Sequence, residues 1–314
     1  SPKPSTGIVF FKFFIGEEDL RIPNTMCNTT VVSPEYVRGF DRRRSLVIQI
    51  VVLMTIIFFA ALIPGSYLKP AARFCPEDEP DCSRPDLFAF EFICGTCFIW
   101  QSFVSIRSWH FRKTPMKTLP DNPIGRVYGY SEESELISAV SLAFQFWDLI
   151  GTPFLPEFCS TIMMAHHLLA ALVSFVALQY QYYHYYAVFF LALSEVSSVP
   201  LVVMSLTKYY PPVPGSLMGT IGGIAPPLFA ITFTYYRVIL WIKVSRQLWS
   251  DAIHVLSTGK AEEYRPGKKW CLYLILTISA LLTLLQLYWF ALIVTKALEE
   301  AGFDVPSLNP GFEE

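Results

Sequence analysis

The sequence contains few charged residues. Asp, Glu, Lys and Arg make up 16% of it and hydrophobic residues 53%, whereas soluble domains carry roughly 25% charged residues. A large soluble α/β core is therefore disfavoured, because it would show short strands and amphipathic helices. The net charge of −2 points to no class of partner, and we expect no nucleic acid partner.

Cysteine and histidine are also scarce, with 7 and 5 residues respectively. Cys94 and Cys97 form a CxxC pair, but both lie in an apolar run, where small residues usually serve helix packing. Cys75 and Cys82 flank an acidic segment, Cys-Pro-Glu-Asp-Glu-Pro-Asp-Cys. We expect them to form a disulfide if this loop faces an oxidising compartment. A metal clip is a weaker alternative, because the carboxylates have no partner histidine. We expect no metal and no cofactor.

Long apolar runs, by contrast, recur along the chain. A helix needs on the order of 20 apolar residues to cross the hydrocarbon core of a bilayer. The sequence predicts an all-α multi-pass membrane protein with seven transmembrane helices. The predicted spans are Leu46–Pro64, Leu87–Val104, Leu136–Leu155, Ser160–Gln179, Tyr186–Leu206, Leu217–Trp241 and Cys271–Val294.

Cationic residues concentrate in every second segment outside these spans. Under the positive-inside rule, the N-terminus and the cationic segments face the cytosol, matrix or stroma, and the C-terminus faces the opposite side. The loop 65–86 then lies outside. The cations in question are Arg38, Arg42, Arg43, Arg44, Arg107, Arg112, Lys113, Lys117, Arg126, Lys243, Arg246, Lys260, Arg265, Lys268 and Lys269.

Adjacent histidines, His166 and His167, interrupt the fourth span, and ionisable side chains at membrane depth usually mark a site. Asp148 and His166 both lie roughly 8 to 10 Å below the outer ends of their helices, so the third and fourth spans can bring them together. Neighbouring positions on a helix differ by about 100° in direction. One histidine can therefore face a cavity while the other binds a neighbouring helix. We expect Asp148 and at least one histidine to line a cavity.

Three further polar features lie within the spans. Glu195, near the midplane, can reach the histidines only if its helix is broken, and the following Ser-Ser-Val-Pro favours a kink at Pro200. Arg237 follows two tyrosines, a pattern typical of an interfacial cation that snorkels. Glycines followed by Pro226 and Pro227 in the sixth span favour close helix contact and then a break. Gln286 lies in the seventh span.

Four short motifs in this order resemble the TLC domain family. That family includes the translocon-associated TRAM proteins, the Lag-type ceramide synthases and the smaller TLC-domain and ceroid-lipofuscinosis proteins. The resemblance covers about residues 87–295. The motifs are Trp147-Asp148, Met164-Ala165-His166-His167-Leu168-Leu169, Leu193-Ser194-Glu195-Val196-Ser197-Ser198-Val199-Pro200 and Phe233-Thr234-Tyr235-Tyr236-Arg237.

The resemblance implies that the last six helices form a barrel around an acyl-chain cavity. In the ceramide synthases a His pair and a following pair of aspartates lie in that cavity, and acyl-CoA is the acyl donor. His166 and His167 match the His pair. Glu195 and Ser198 stand where the two aspartates would be, and Ser194 stands where a histidine would precede them. This pattern is closer to the smaller TLC-domain proteins than to the Lag-type ceramide synthases.

The chain then divides into a polar arm (1–45), an additional transmembrane helix (46–64), an acidic outer loop (65–86), the TLC domain (87–295) and a tail (296–314). The favoured hypothesis is a non-catalytic lipid-binding protein or an accessory subunit of a membrane assembly, which uses the arm, outer loop and tail as contacts. The expected partners are membrane lipids and other proteins of such a complex. The residues expected to bind lipid are Trp147, Asp148, Ser194, Ser198 and Arg237.

The alternative is an acyl-CoA-dependent N-acyltransferase with His166, His167 and Glu195 as its catalytic residues. One histidine would deprotonate an amine or take up the acyl group, and acyl-CoA would be a substrate. A transporter is a more distant alternative, since no inverted repeat relates the two halves. The resemblance implies the endoplasmic reticulum, and a mitochondrial or plastid inner membrane is the alternative location.

Overall fold

The structure, a computed structural model, describes residues 40–76, 79, 82–114 and 116–303. Most of the polar arm and most of the tail lie outside the described residues. The described part is all-α, as predicted. Its α-helices are α1 (Phe40–Gly65), α2 (Pro85–Trp109), α3 (Pro123–Tyr128), α4 (Glu132–Gly151), α5 (Thr161–Tyr180), α6 (His184–Phe190), α7 (Ser198–Tyr209), α8 (Leu217–Phe233), α9 (Trp241–Ser257), α10 (Lys260–Tyr264) and α11 (Lys269–Glu300).

Seven helical segments of the described part are long and apolar enough to cross a membrane, which confirms the predicted multi-pass architecture. The last two exceed their predicted lengths the most. The sixth runs from Leu217 to Ser257 over 41 residues, or about 60 Å, so it extends well past a hydrocarbon core of about 30 Å. The seventh, α11, continues to Glu300, inside the segment that was expected to be a tail.

The break predicted in the fifth span is present. Helix α6 ends at Phe190, a 3-10 turn covers Leu193–Ser197, and α7 begins at Ser198. Pro200 lies in the first turn of α7, where a proline ring fits without a missing hydrogen bond. The break brings Glu195 and its neighbouring serines to the interior of the bundle instead of leaving them on a regular helix face.

The break predicted at Pro226 and Pro227 is wrong, because α8 continues through both residues to Phe233. Each proline ring crowds the carbonyl of the residue four positions earlier, which is Gly222 or Gly223, and the glycine backbone can adjust more easily than that of other residues. The close helix contact, however, is present. A Cβ on Gly222 would lie 2.8 Å from the Thr207 methyl carbon of α7. The helix departs from α geometry only later, in a π-helical segment at Thr234–Leu240.

The cationic segments meet at one end of the bundle. Arg43 of α1 lies 3.5 Å from Glu135 of α4, and Arg126 of α3 forms an ion pair of 2.6 Å with Asp251 of α9. This clustering agrees with the alternation that the charge pattern requires. We call this end of the bundle the inner end, because the positive-inside rule predicts that it faces the cytosol, matrix or stroma.

At the outer end, ion pairs and a disulfide connect the loops. Arg84 binds both Asp86 and Glu157, at 2.9 and 2.7 Å. Cys75 and Cys82, where the sequence predicted a disulfide, are bonded, with a Cα–Cα distance of 5.6 Å. The additional helix α1 packs mainly on α2 and α4, so it lies outside the ring of the remaining helices.

Candidate functional site

The interior of the bundle contains a cavity with about 580 Å³ of atom-free space, including its mouth. Its walls come from α4, α5, the broken fifth span, the π-helical segment, α9 and α11. Most of the wall is apolar, with Ala170, Val173, Phe190, Ile275 and Leu282. The polar side chains on the wall are Ser141, Gln145, His166, Ser194, Glu195, Arg237, Ser279 and Gln286.

His167 points from α5 towards α4. Its Nδ1 lies 2.6 Å from Gln145 Oε1, and its Nε2 lies 3.0 Å from Asp148 Oδ2. The second contact is within ion-pair distance, but it is not a hydrogen bond, since Asp148 Oδ2 has no hydrogen-bond partner. Both ring nitrogens of His167 therefore face partners on α4, and the ring is held in one orientation.

His166 points the other way. Its Nδ1 is buried without a hydrogen-bond partner, and its ring lines the cavity. The ring is packed edge-on against Trp289 of α11, with 5.1 Å between centroids. The expectation that the two histidines diverge, one towards a cavity and one towards a neighbouring helix, is confirmed.

Two residues expected near the cavity lie elsewhere. Asp148 is 3% exposed but lies behind His167 rather than on the cavity wall, because α4 presents Gln145, one turn earlier, to the interior. Trp147 faces the opposite side of α4 and packs between Phe58 of α1 and Phe90 of α2. Asp148 is thus a residue that orients His167, and Trp147 is a packing residue.

Arg237 is buried, with 7% of its surface exposed, so the interpretation of a snorkelling cation is wrong. Its Nη2 lies 2.9 Å from Glu195 Oε2 and 2.9 Å from Ser198 Oγ. Its Nε donates to the Ser194 carbonyl at 3.0 Å and to Ser197 Oγ at 2.9 Å. The break in the fifth span exposes a main-chain carbonyl that needs a donor, and Arg237 supplies it.

Ser194 and Glu195 line the cavity, whereas Ser198 lies behind them and holds Glu195 through a hydrogen bond of 2.6 Å. Glu195 shares the cavity with His166, but its hydrogen bonds go to Arg237 and Ser198. The helix is broken at Glu195, as a contact with the histidines would require, but Glu195 forms an ion pair with Arg237 instead.

Four polar residues of the cavity wall were not among the predicted site residues: Ser141, Gln145, Ser279 and Gln286. Gln145 stands three residues before Asp148, so both lie on one face of α4, and that spacing was the available signal. Gln286 was visible as a polar residue in the seventh span, but nothing in the sequence tied it to the cavity. Ser279, seven residues earlier, lies on the same face of α11.

The geometry agrees with the comparison to known families, in which the model for the TLC domain matches residues 89–295. The chain belongs to the TLC domain family. Searches of curated proteins and of solved structures found no significant match. The matched region begins in α2 and ends in α11, so α1 lies outside it, whereas every residue of the cavity wall lies within it.

The TLC domain of this chain thus encloses an apolar cavity. The histidine pair lies on one side of it, and the ion pair between Arg237 and Glu195 lies on another. Among the described residues, no three His, Cys, Asp or Glu side chains lie close enough to hold a metal ion. The groups of the cavity that can bind a ligand are the unpartnered nitrogen of His166 and the uncharged polar side chains of α4 and α11.

Proposed function

We propose that this TLC domain binds a lipid whose acyl chain occupies the cavity, and that it does so without catalysis. The observation that carries this proposal is the composition of the wall. Ala170, Val173 and Leu282 offer an apolar surface inside the bundle, and an apolar ligand gains about 25 cal/mol per Å² of surface removed from water. A lipid can enter such a site from the bilayer itself.

The arrangement of the ionisable groups supports a non-catalytic role. General acid–base catalysis needs a side chain that can exchange a proton with the substrate. Both nitrogens of His167 face partners on α4, and Glu195 is held by Arg237 and Ser198. His166 alone presents an unpartnered nitrogen, and no carboxylate contacts that atom.

A pair of alanines on α5 allows a matched test. Ala170 is buried on the cavity wall, whereas Ala165 of the same helix is exposed. We expect Ala170→Phe to fill part of the cavity and to lower the amount of copurifying lipid several-fold, and Ala165→Phe to leave it unchanged. The measurement is quantitative mass spectrometry of lipids extracted from the purified proteins. Equal lipid content in all three proteins, or none in the wild type, would overturn the proposal.

A second candidate function is acyl transfer from acyl-CoA to a long-chain amine. The observation in its favour is the open nitrogen of His166 beside His167, which Asp148 and Gln145 orient. In this scheme His166 removes a proton from the amine nitrogen while that nitrogen attacks the thioester carbonyl. The products are an amide and the free thiol of CoA, which receives the proton.

The two candidates differ in turnover. Purified wild type incubated with a long-chain acyl-CoA and a long-chain amine should give no amide above the uncatalysed rate if the protein only binds lipid. If it is an acyltransferase, wild type should show turnover and His166→Ala should lose 10²-fold or more of it. The matched control is His254→Ala, since His254 is exposed on α9. Turnover by wild type would overturn the non-catalytic proposal.

We further propose that the protein resides in the membrane of the endoplasmic reticulum and acts within a larger membrane assembly. Support for the location comes from the family, and support for an assembly comes from the additional helix α1, which sits outside the ring formed by the TLC domain. Imaging of the tagged protein with organelle markers tests the first statement. Mild-detergent purification followed by identification of stoichiometric partners tests the second.

A further inference from the structure

Gln286 is the most unusual polar residue of the cavity. It lies near the middle of α11, is 1% exposed and has no hydrogen-bond partner for either its Nε2 or its Oε1. A buried polar group left without a partner costs about 1–3 kcal/mol, and buried amides are otherwise nearly always paired. A side chain that keeps both a donor and an acceptor open towards a cavity is suited to a ligand that carries both.

Two other open groups face the same cavity. The Nδ1 of His166 has no partner, and the Oγ of Ser279 has none either. Gln286 precedes Trp289 by three residues and therefore lies on the same face of α11 as the ring that packs on His166. Gln286 and His166 thus belong to neighbouring levels of the bundle, and Ser279 lies about 10 Å further along α11.

The charges on the cavity wall, in contrast, are already compensated. Arg237 and Glu195 are 2.9 Å apart, and the guanidinium also uses its Nε on Ser194 and Ser197. A charged headgroup would enter this apolar space without a counter-ion, and burying an unpaired charge costs several kcal/mol. The wall is therefore built for a group that is polar and uncharged.

We infer that the lipid bound by this cavity has an uncharged polar group that carries both a hydrogen-bond donor and an acceptor, and that Gln286 is the residue that recognises it. Primary amides and the hydroxyl and ester groups of monoacylglycerols share this chemistry. The inference rests on the proposed lipid-binding function and specifies its ligand. It assigns recognition of the polar group of the lipid to Gln286 rather than to Arg237.

The test uses probes with one chain and different polar ends. Tritiated oleamide is bound to the whole chain in detergent and displaced with unlabelled oleamide, monooleoylglycerol, oleate at pH 9 or oleylamine at pH 7. We expect the two neutral probes to compete and the two charged probes to be roughly 100-fold weaker. Comparing oleamide with monooleoylglycerol then distinguishes an amide from a hydroxyl ligand.

The variant Gln286→Leu should weaken the binding of both neutral probes about tenfold. Its melting temperature without lipid should equal or exceed that of wild type, because an unpaired polar group is removed. Gln101→Leu is the matched control, since Gln101 is also 1% exposed but does not line the cavity. Gln286→Met replaces the leucine variant if the latter does not fold.

Equal competition by charged and neutral probes would overturn the inference while leaving lipid binding intact. Unchanged affinity of the Gln286 variants, or a lipid-free melting temperature clearly below that of wild type, would do the same. Absence of saturable binding by every probe, together with no copurifying lipid, would overturn the proposed function itself.

Discussion

Two histidines inside the bundle illustrate two uses of the same side chain. His184, at the start of α6, is fully buried, accepts a hydrogen bond from the Ser131 amide at 3.1 Å and donates to the Ala177 carbonyl at 3.2 Å. His166 is also inside the bundle, but its Nδ1 has no partner. A histidine with both nitrogens satisfied stabilises the fold, whereas one with an open nitrogen on a cavity wall is available to a ligand.

The same contrast separates the ends of the bundle from its cavity. At the inner end, Asp251 accepts two hydrogen bonds from Arg126 and one from the Tyr186 hydroxyl. At the cavity, Gln286 has no partner at all. We conclude that the paired polar groups at the ends supply stability and that the unpartnered polar groups of the cavity reduce it in the absence of a ligand. The following predictions test this division.

The largest change in the free energy of unfolding is expected from a substitution at the inner end. Asp251→Asn leaves Arg126, whose side chain is 12% exposed, without its buried counter-charge, and should lower the free energy of unfolding by about 3–5 kcal/mol. Chemical unfolding in detergent measures it. Asp121 also pairs with Arg126 but is 62% exposed, so Asp121→Asn should cost less than about 1 kcal/mol. Equal losses in the two variants would mean that burial does not determine the contribution.

The disulfide at the outer end ranks second. Replacing Cys75 and Cys82 together by serine frees a loop with a sequence separation of 7. The lost constraint on the unfolded chain should lower stability by about 2–3 kcal/mol. Cys159→Ser is the control, because Cys159 is exposed and unbonded. A double variant as stable as the control would show that the outer loop adds nothing to the outer end.

The histidine comparison itself should give a smaller difference. His184→Leu leaves the Ser131 amide and the Ala177 carbonyl unpaired and should cost about 1–3 kcal/mol. His166→Leu removes an already unpaired nitrogen and should leave the lipid-free protein as stable as wild type or more so. Melting temperatures of delipidated proteins give the comparison. A larger loss for His166→Leu than for His184→Leu would remove the basis for the division.

The smallest effect is expected in the pH dependence of the free energy of unfolding, through the ion pair of Arg84 and Glu157 at the outer end. Burial alone would raise the pKa of Glu157, but the hydrogen bonds and charge of Arg84 outweigh it and lower this pKa below its ordinary value of 4.5. The resulting stability is complete above that value and is lost as the pH falls through the folded-state pKa. It amounts to less than about 1 kcal/mol for this part-exposed pair.

Glu157→Gln should therefore be slightly less stable than wild type at pH 7, and the difference should shrink when the pH is lowered to 3. Unfolding curves at both pH values provide the measurement. A variant that differs from wild type equally at the two pH values would show that the Glu157 charge does not contribute through Arg84.

The sequence predicted the features that depend on composition and period. The seven spans follow from apolar runs, and the divergence of His166 and His167 follows from the angle between neighbouring helix positions. Equal depth in adjacent helices predicted that Asp148 meets the histidine pair, but it named His166, whereas the structure places His167 beside Asp148. The spans and the divergence depend on local geometry, so one sequence is enough to predict them.

The partners of Arg237 and Gln286 were not predictable in this way. Arg237 follows two tyrosines, as an interfacial cation does, but the π-helical segment and the broken fifth span together direct it inward. Each distortion involves a different helix, and only their packing brings Arg237 to Glu195. Gln286 has no recognisable motif around it in the sequence. Its significance lies in the absence of hydrogen-bond partners for its side chain, which only the structure shows.

Photo-crosslinking tests the central claim most directly, because it reports where a lipid chain lies. Membranes containing the protein are loaded with a monoacylglycerol that carries a diazirine along its chain, irradiated, and analysed by peptide mass spectrometry. The account predicts adducts on the cavity side of α5 and α11, at Ala170, Val173 and Leu282. Adducts confined to residues that face the bilayer, such as Leu168 and Leu284, which are 53% and 64% exposed, would contradict it.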